Sequence, residues 1–504
     1  MTVPDPSTRR APRVRVAKLI VHGAEASGKS ALVHAATTIH PSVPDSGDLE
    51  FVIHRHQLAF QHATPGDDDG RRSTFYQVSV LDMVGHDSFK PFLSLFFSPR
   101  TLHVVCFDGA EYKRLLDAKS NNRQLELDAF VNDNVSRWLR LIFPVFPGAN
   151  VIFVATNDQN VDVDVVKRDL SARLVDMVDG VVAAVQLRQS KTVEDASLRQ
   201  AVQSTLEAPV VMAASSFKKE LPQAIVDSGV GVEMDPHIPD VLQLIHARRD
   251  ESTKLTNTAR VEALVLPMAA MHRYLSRAMK GVSNDDVSHV LRKLHETGDL
   301  LWFEDRDNDL RETVILSPEL VTELLQQLAA CGSADDAQDD RGRGFVKHDL
   351  LAGKTVWQDA QDDLVLGLKC LMEKLQLVVP LDARMRSESH LLVPAFWTAK
   401  FKDDRLSNAA PVEFHSPKKN RDIDIKVPFL AEDVLRGVAL QCARARKYMT
   451  VKGLSPTCYE LAGSVRASIV AGGNAIRIEN VERKSAELDT IRGFVDRVMQ
   501  DMKM

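Results

Sequence analysis

Long apolar runs are missing from this chain. The longest, such as Ala263 to Ala270 and Val210 to Ala214, fall far short of the roughly 18 to 20 residues that cross a bilayer, so no transmembrane segment is expected. Cysteine is scarce too. The five cysteines, Cys106, Cys331, Cys370, Cys442 and Cys458, are scattered, with no CxxC pair and no Cys/His spacing suited to zinc. That pattern fits buried thiols in a reducing, cytoplasmic setting. A strong charge of one sign is also absent: the formal net charge of -6 gives no global pull toward nucleic acid or an anionic membrane. The opening MTVPDPSTRRAPRVRV has basic residues but no apolar core ahead of the first strand-like run. Residues 1–13 therefore read as a disordered leader, not a secretory signal.

What remains is ordinary globular material. At 504 residues, with 44% hydrophobic and 26% charged residues, the chain is too long for one core and has the composition of several packed domains. Residues 14–250 alternate short apolar runs with helix-like stretches, as an α/β unit with a mainly parallel sheet does. Strands are expected at Val14 to Val21, Phe51 to Phe60, Tyr76 to Leu81, Leu102 to Phe107, Val151 to Ala155 and Val210 to Ala213. The last three are nearly continuous apolar runs, suited to a sheet covered on both faces, whereas Tyr76 to Leu81 alternates like an edge or half-exposed strand. Helices are expected at Ser30 to Thr38, Leu125 to Ile142 and Val161 to Val178, with Ser190 to Gln203 a loop and Ala247 to Asn257 a charged linker.

Beyond that linker the order reads helix Val261 to Ala278, helix Asn284 to Thr297, strand Leu300 to Phe303, polar turn, strand Glu312 to Leu316 and helix Pro318 to Ala329, an order similar to a winged helix. A Gly- and Asp-rich loop at 332–344 follows, and packing resumes with Leu364 to Leu377. From Ala409 the pattern turns strand-rich, and the helix Ser485 to Met502 carries one apolar face. No internal repeat is visible.

The sharpest signal is GAEASGKS, Gly23 to Ser30, a full G-x-x-x-x-G-K-[ST] motif between an expected strand and an expected helix. Gly23 and Gly28 permit torsions that aim N–H groups at phosphate oxygens, and the helix N-terminus adds partial positive charge. The cradle runs through Ala24, Glu25, Ala26 and Ser27 to Ala31. Lys29 reaches for the β- and γ-phosphates, and Ser30 offers a hydroxyl to Mg²⁺. The competing reading is an ordinary Gly-rich strand-to-helix turn. A second constellation, Asp82-Met83-Val84-Gly85-His86, ends a later strand, where an Asp would hold the Mg²⁺ shell and the Gly85 N–H would sense a γ-phosphate. Alone it is just as well a turn. His86 stands where a water-positioning residue would sit, or is a solvent-facing histidine without a catalytic task.

Base reading rests on Thr156-Asn157-Asp158-Gln159, which follows a strand. GTPases usually show Asn or Thr, then Lys or His, any residue, then Asp; here Asp158 falls one place early and Gln159 occupies the Asp position. Ser215, after the strand Val210 to Ala213, sits where a backbone N–H contacts the base. For the switch-side Mg²⁺ ligand, Ser46 is the best candidate and Ser42 its competitor.

With these residues in hand, the chain resembles the Roc-COR core of Roco proteins over nearly its whole length. The more specific likeness lies in VLRKLHETGDLLWFEDRDNDLRETVILSPELVTELLQQL, Val290 to Leu328, with LKCLMEKLQLVVPL and HLLVPAFW beyond it. The resemblance implies an α/β P-loop, Ras-like GTPase domain over 14–250 and an α+β COR region. Its first half, 251–408, is winged-helix-like, and its second, 409–504, is a strand-rich dimerisation lobe. It further implies GTP and GDP binding with Mg²⁺, slow GTP hydrolysis, a homodimer through residues 409–504, and effector proteins the sequence does not name. Leucine-rich repeats and the kinase Gly-rich loop, HRD and DFG motifs are absent.

Two rivals stand beside the GTPase reading. One is a nucleotide-binding scaffold with little turnover or altered base choice, which the displaced Asp158 favours. The other is DNA binding by NDDVSHVLRKLHETG. Asp285 and Asp286 oppose phosphate there, and the apolar Val287, Val290, Leu291 and Leu294 account for the helix as core.

Overall fold

The computed structural model describes residues 13–24, 26–37, 52–63, 73–84, 93–119, 122–143, 145–159, 161–188, 195–234, 238–278, 283–304, 311–332, 345–354, 356–358, 362–375, 377–380, 385–393, 423–426, 452–455, 458–461, 465–469, 475–480, 493 and 495. Its first 250 residues build a mixed sheet with helices on both faces. In chain order it comprises β1 (Arg13–Gly23), α1 (Lys29–Ala36), β2 (Val52–Ala63), β3 (Ser73–Val84), β4 (Thr101–Asp108), α2 (Gly109–Asp117), α3 (Arg123–Val131), α4 (Arg137–Ile142), β5 (Asn150–Thr156), α5 (Val163–Arg188), α6 (Asp195–Glu207), β6 (Val210–Ala213), α7 (Ala214–Asp227), β7 (Val232–Glu233) and α8 (Ile238–Ser252). The strand order is β2-β3-β1-β4-β5-β6, with β7 antiparallel beside β1. Only β2 runs antiparallel along the main path; β3, β1, β4, β5 and β6 are mutually parallel.

Period-2 alternation divides β1 between two cores. Ala17, Leu19 and Val21 face one side with Val78, Val80 and residues of α1 and α7, whereas Ile20 faces the other with Leu81, Val105, Phe107 and α3 to α6. β3 is not the edge strand its alternation suggested. It lies between β2 and β1 with Tyr76, Val78, Val80 and Leu81 all buried, and the edge falls to β2. Alternation at β3 comes from Gln77 alone, which is exposed while its neighbours are not. Ser190 to Gln203 is not all loop either. α6 begins at Asp195 and buries Val202 and Leu206, one apolar residue per turn, a stripe too narrow to stand out against a polar surface. The expected linker is helical to Ser252. Between α3 and α4 a π segment, Asn132–Ser136, keeps the helical path continuous and buries Val135 over the sheet.

Downstream come α9 (Asn257–Leu264), β8 (Val265–Pro267), α10 (Met268–Ala278), α11 (Asn284–Glu296), β9 (Leu301–Trp302), β10 (Thr313–Ile315) and α12 (Pro318–Gly332). The single helix expected over Val261 to Ala278 is broken by β8. Pro267 has no N–H and its ring would press on the carbonyl four residues back, that of Ala263. The Arg248 guanidinium takes that carbonyl instead at 2.7 Å, and β8 pairs with β10. α11 starts from a capping box in which Ser283 and Asp286 satisfy each other's backbone N–H. Such a cap is worth about 1 kcal/mol. Burial of Val287, Val290, Leu291 and Leu294, at about 1.5 to 3 kcal/mol each, outweighs it and decides which face turns inward. Arg292, on the outer face, pairs with Glu304 at 2.7 Å.

The next elements, β11 (Phe345–Val346), α13 (His348–Ala352), α14 (Asp362–Lys374), β12 (Val379–Pro380) and β13 (Leu391–Leu392), repeat the plan. Both β8-α10-α11-β9-β10 and β11-α13-α14-β12-β13 run strand, helix, helix, strand, strand with the last strand central, the order of a winged helix. The repeat is topological: Val365, Leu368 and Met372 of α14 keep the spacing of Val287, Val290 and Leu294, but buried Lys369 stands where Leu291 does. Finally β14 (Ile423–Lys426), β15 (Lys452–Ser455), β16 (Cys458–Leu461), β17 (Val465–Ile469) and β18 (Ala475–Asn480) form an antiparallel sheet ordered β14-β18-β17-β16-β15. Most of the expected helix Ser485 to Met502 lies outside the described residues.

Candidate phosphate-binding site

β1 ends at Gly23 and α1 begins at Lys29, so the glycine-rich loop spans the gap between a buried strand and a helix N-terminus. Gly28 caps the helix with φ 78°, and Ala26 also takes a positive φ of 60°. Alternating torsions of this kind turn successive N–H groups to one side, and α1 has no acid in its first turn to compete with an anion. A Cβ at Gly28 would lie 3.2 Å from the Thr156 Cβ, so the position is closed to larger residues by contact as well as by torsion. Lys29 folds back over the loop, with Nζ donating to the carbonyls of Gly23 at 2.9 Å and Ala24 at 2.6 Å. Ser30 sits in the first turn of α1, half-buried, and Ala31 is exposed beside it.

Asp82 lies next to this loop because its strand is in register with β1, opposite Val21, two residues before Gly23. Its side chain is 1% exposed, and neither carboxylate oxygen has a hydrogen-bond partner among the described residues. A buried carboxylate with nothing to accept from is costly, and a hydrated divalent cation is the partner that would meet it. Oxygen donors from Asp82 and Ser30 suit Mg²⁺. Among the described residues no cluster of three or more His, Cys, Asp or Glu is arranged for a metal. His34 and His56 stack edge to face at 5.4 Å on the same side as Asp82, and burial holds His56 below the usual histidine range.

The third component comes from the end of β5. The Thr156 hydroxyl lies 2.8 Å from the Ser27 carbonyl and 3.0 Å from that of Phe107, which ties the phosphate loop to the β4–β5 floor. Asn157 adopts φ 49° and donates from Nδ2 to Asp108 at 2.8 Å, while the other Asp108 oxygen caps α2 through the Glu111 N–H. Asp158 accepts from the Ser215 backbone N–H at 2.9 Å and from the Ser215 hydroxyl. Burial works against its charge, but these hydrogen bonds outweigh it and hold its carboxyl below the usual range. Gln159 is exposed in the turn that follows. The displaced carboxylate is therefore the one joined to the first turn of α7, directly after β6.

Under the loop, His22 Nε2 and His103 Nδ1 are 2.9 Å apart, both rings buried. Burial, and then Lys29, lowers His22 to about 3, and burial keeps His103 well below its ordinary value, so a neutral pair shares one proton across the β1–β4 seam. Cys106, beside them on β4, is pushed up by burial to about 12 and is inert as a nucleophile.

The sequence motifs thus converge: Gly23, Ala24, Ala26, Ser27, Gly28, Lys29 and Ser30, with Asp82, Thr156 and the Asp158–Ser215 pair, belong to the carboxyl ends of β1, β3 and β5, to the loops leaving them, or to the first turns of α1 and α7. Glu25, Ser42, Ser46, Gly85 and His86 lie outside the described residues. Sequence reasoning missed Asp108 and the histidine pair; a polar residue inside each of the runs RVRVAKLIVHG and TLHVVCFD was the available sign. No helix among the described residues is long and apolar enough to cross a membrane.

No family model and no curated protein matches the chain. Among solved structures, it is similar to Roco2 RocCORdC of Methanosarcina barkeri bound to GDP, with TM-score 0.42 and 12% identity over 77% of this chain and 99% of that one. At that level of likeness no residue role passes from one chain to the other.

Proposed function

We propose that the chain binds a guanine nucleotide with Mg²⁺ and hydrolyses GTP slowly, as a cytoplasmic switch of the Roco type. The observation that carries this reading is the buried Asp82 carboxylate, without a hydrogen-bond partner among the described residues, beside a glycine-rich loop that meets a helix N-terminus. In it Lys29 and the loop N–H groups bind the β- and γ-phosphates, while Ser30, Asp82 and Ser46 hold the cation. When bound, Mg²⁺ supplies charge neutralisation for the transferred phosphoryl group. The chain's own groups do the rest by position and electrostatics: Lys29 and the loop amides meet charge that develops on phosphate oxygens, the Gly85 N–H approaches the γ-phosphate, and His86 orients water. Asp158, steadied by Ser215, meets the guanine N1–H and N2 amino donors in place of Gln159, with Thr156 and Asn157 shaping that pocket.

Residues 14–250 are assigned to the GTPase domain, 251–408 to a first, winged-helix-like COR half, and 409–504 to a second half that carries the homodimer. Calorimetric titration of nucleotide-stripped chain with GDP, GTP and ATP in Mg²⁺ tests the reading. Guanine-selective binding that disappears in Lys29→Ala supports it. Equal binding of ATP removes the base assignment, and no binding of any nucleotide removes the function.

A further inference from the structure

β1 and β2 carry, on the face away from α1, two basic side chains that reach into the downstream region. Lys18 is 1% exposed, and its Nζ donates to Phe96 O at 2.9 Å and to His295 O at 3.1 Å. Arg55 pairs with Asp299 at 3.1 Å and with Glu319 at 3.5 Å, and donates to the Gly298 carbonyl. The receiving element is the turn after α11. Gly298 takes φ 78°, and a Cβ there would meet the Lys18 Cδ at 3.0 Å and Leu81 at 3.7 Å, so the turn seats directly on β1 and β3. Asp299 is held from both sides: one oxygen meets Arg55, and the other accepts from the Thr297 hydroxyl at 2.6 Å. Arg249 of α8 binds the Asp299 and Leu316 carbonyls, and Ser98 donates to the Glu296 carbonyl at 3.2 Å. Apolar residues continue the join, since Ile20 and Leu81 belong to the same buried cluster as Leu294, Leu300 and Leu301.

The strands gripped in this way are those that deliver the phosphate site. β1 runs from Lys18 into Gly23, and Arg55 is cross-strand from Leu81, the residue before Asp82. A shift of the 296–299 turn therefore moves the cation-side carboxylate and the root of the phosphate loop together, because a hydrogen-bonded sheet transmits displacement along its strands without deforming freely.

We propose that Lys18, Arg55 and the 295–299 turn form an internal clamp through which the downstream winged-helix-like region restrains nucleotide release. Lys18 and Arg55 are positioning residues here, acting through β1 and β3. The clamp rests on the nucleotide-binding reading above. Loosening it frees the ends of β1 and β3 and speeds release of bound nucleotide.

The test uses the full chain loaded with a fluorescent N-methylanthraniloyl derivative of GDP, with release followed after addition of excess GDP. In Asp299→Asn and in Arg55→Gln, release is expected to quicken about tenfold, the range of ordinary site-to-site coupling. The double variant should quicken release by less than the product of the two single effects, because both remove the shared Arg55–Asp299 pair. Release rates within twofold of the unaltered chain, in variants that still bind, overturn the clamp alone. Failure of the unaltered chain to bind GDP overturns the clamp and the nucleotide reading together. Hydrogen exchange on the unaltered chain serves if the variants do not fold. GDP should raise amide protection at 295–300 as well as at the phosphate loop, and protection confined to the loop overturns the clamp.

Discussion

Lys29 is the residue whose removal should be felt most simply. In the proposed function it is the one side chain of the motif that brings a full positive charge to the phosphates, and charge-assisted hydrogen bonds are worth about 1.5 to 3 kcal/mol each. Lys29→Ala should therefore weaken GDP binding about 100-fold or more, while thermal melting shows an intact fold, because the amine's hydrogen bonds to the Gly23 and Ala24 carbonyls stay within its own loop. Asp158 makes a finer point. The motif alone left open whether Asp158 or Gln159 faces the base; the Ser215 hydrogen bonds favour Asp158. Asp158→Asn should cost guanine binding about tenfold to 100-fold with little change for ATP, whereas Gln159→Asn should leave both within about twofold, since surface changes away from a contact have small effects. A calorimetric comparison of the two variants decides between them, and a larger loss for Gln159→Asn would reverse the assignment.

At the scale of elements, legibility followed locality. The phosphate loop, Asp82 and the apolar strands β4 and β5 could be read because each is specified by neighbours a few residues away. β8 could not, because a three-residue strand exists only through its partner β10, which places Thr313 opposite Pro267, 46 positions on, and Ile315 opposite Val265, 50 positions on. α6 hid behind a one-residue-per-turn stripe, and the second winged-helix-like unit hid because Lys369 breaks the apolar pattern that α11 displays. Gly298 is a test of how one turn is made. Its positive φ and its contact with Lys18 both exclude a side chain, so Gly298→Ala should destabilise the chain by more than the roughly 1 kcal/mol that a left-handed torsion alone costs a residue with a Cβ. Chemical denaturation read at the midpoint checks this; a loss below about 1 kcal/mol would mean that the turn can lift off Lys18.

For the whole molecule, two buried groups of basic side chains set how stability depends on pH, and they act in separate windows. Burial lowers Lys18 to about 7, against the opposing pull of Glu296 and Asp299 and with help from Arg55. A neutral amine has two N–H donors, which matches the two carbonyls it meets. Between about 7 and the ordinary lysine value of 10.5, the unfolded chain holds a proton that the folded chain has released. Lys18's contribution to stability in that range therefore rises with pH and levels off below about 7, where both states are charged, while above about 9 Cys106, raised by burial to about 12, contributes in the opposite sense. His22, lowered by burial from 6.5 to about 3, gives the same sign as Lys18 in the acid window. There the folded pair stays neutral while the unfolded histidines charge, so stability falls as pH drops through that window. Carboxylates held below their usual range, such as Asp158, Glu304 and Glu319, lose stability in the same direction at the acid end. For that reason the histidine contribution is read as a difference between variants. In urea unfolding from pH 4 to 10, Lys18→Met should flatten the alkaline rise and leave the acid limb in place. His103→Gln should reduce the acid slope and leave the alkaline rise in place. If Lys18→Met keeps the full alkaline rise, the Lys18 amine is not the group that titrates between β1 and the turn that sits on it.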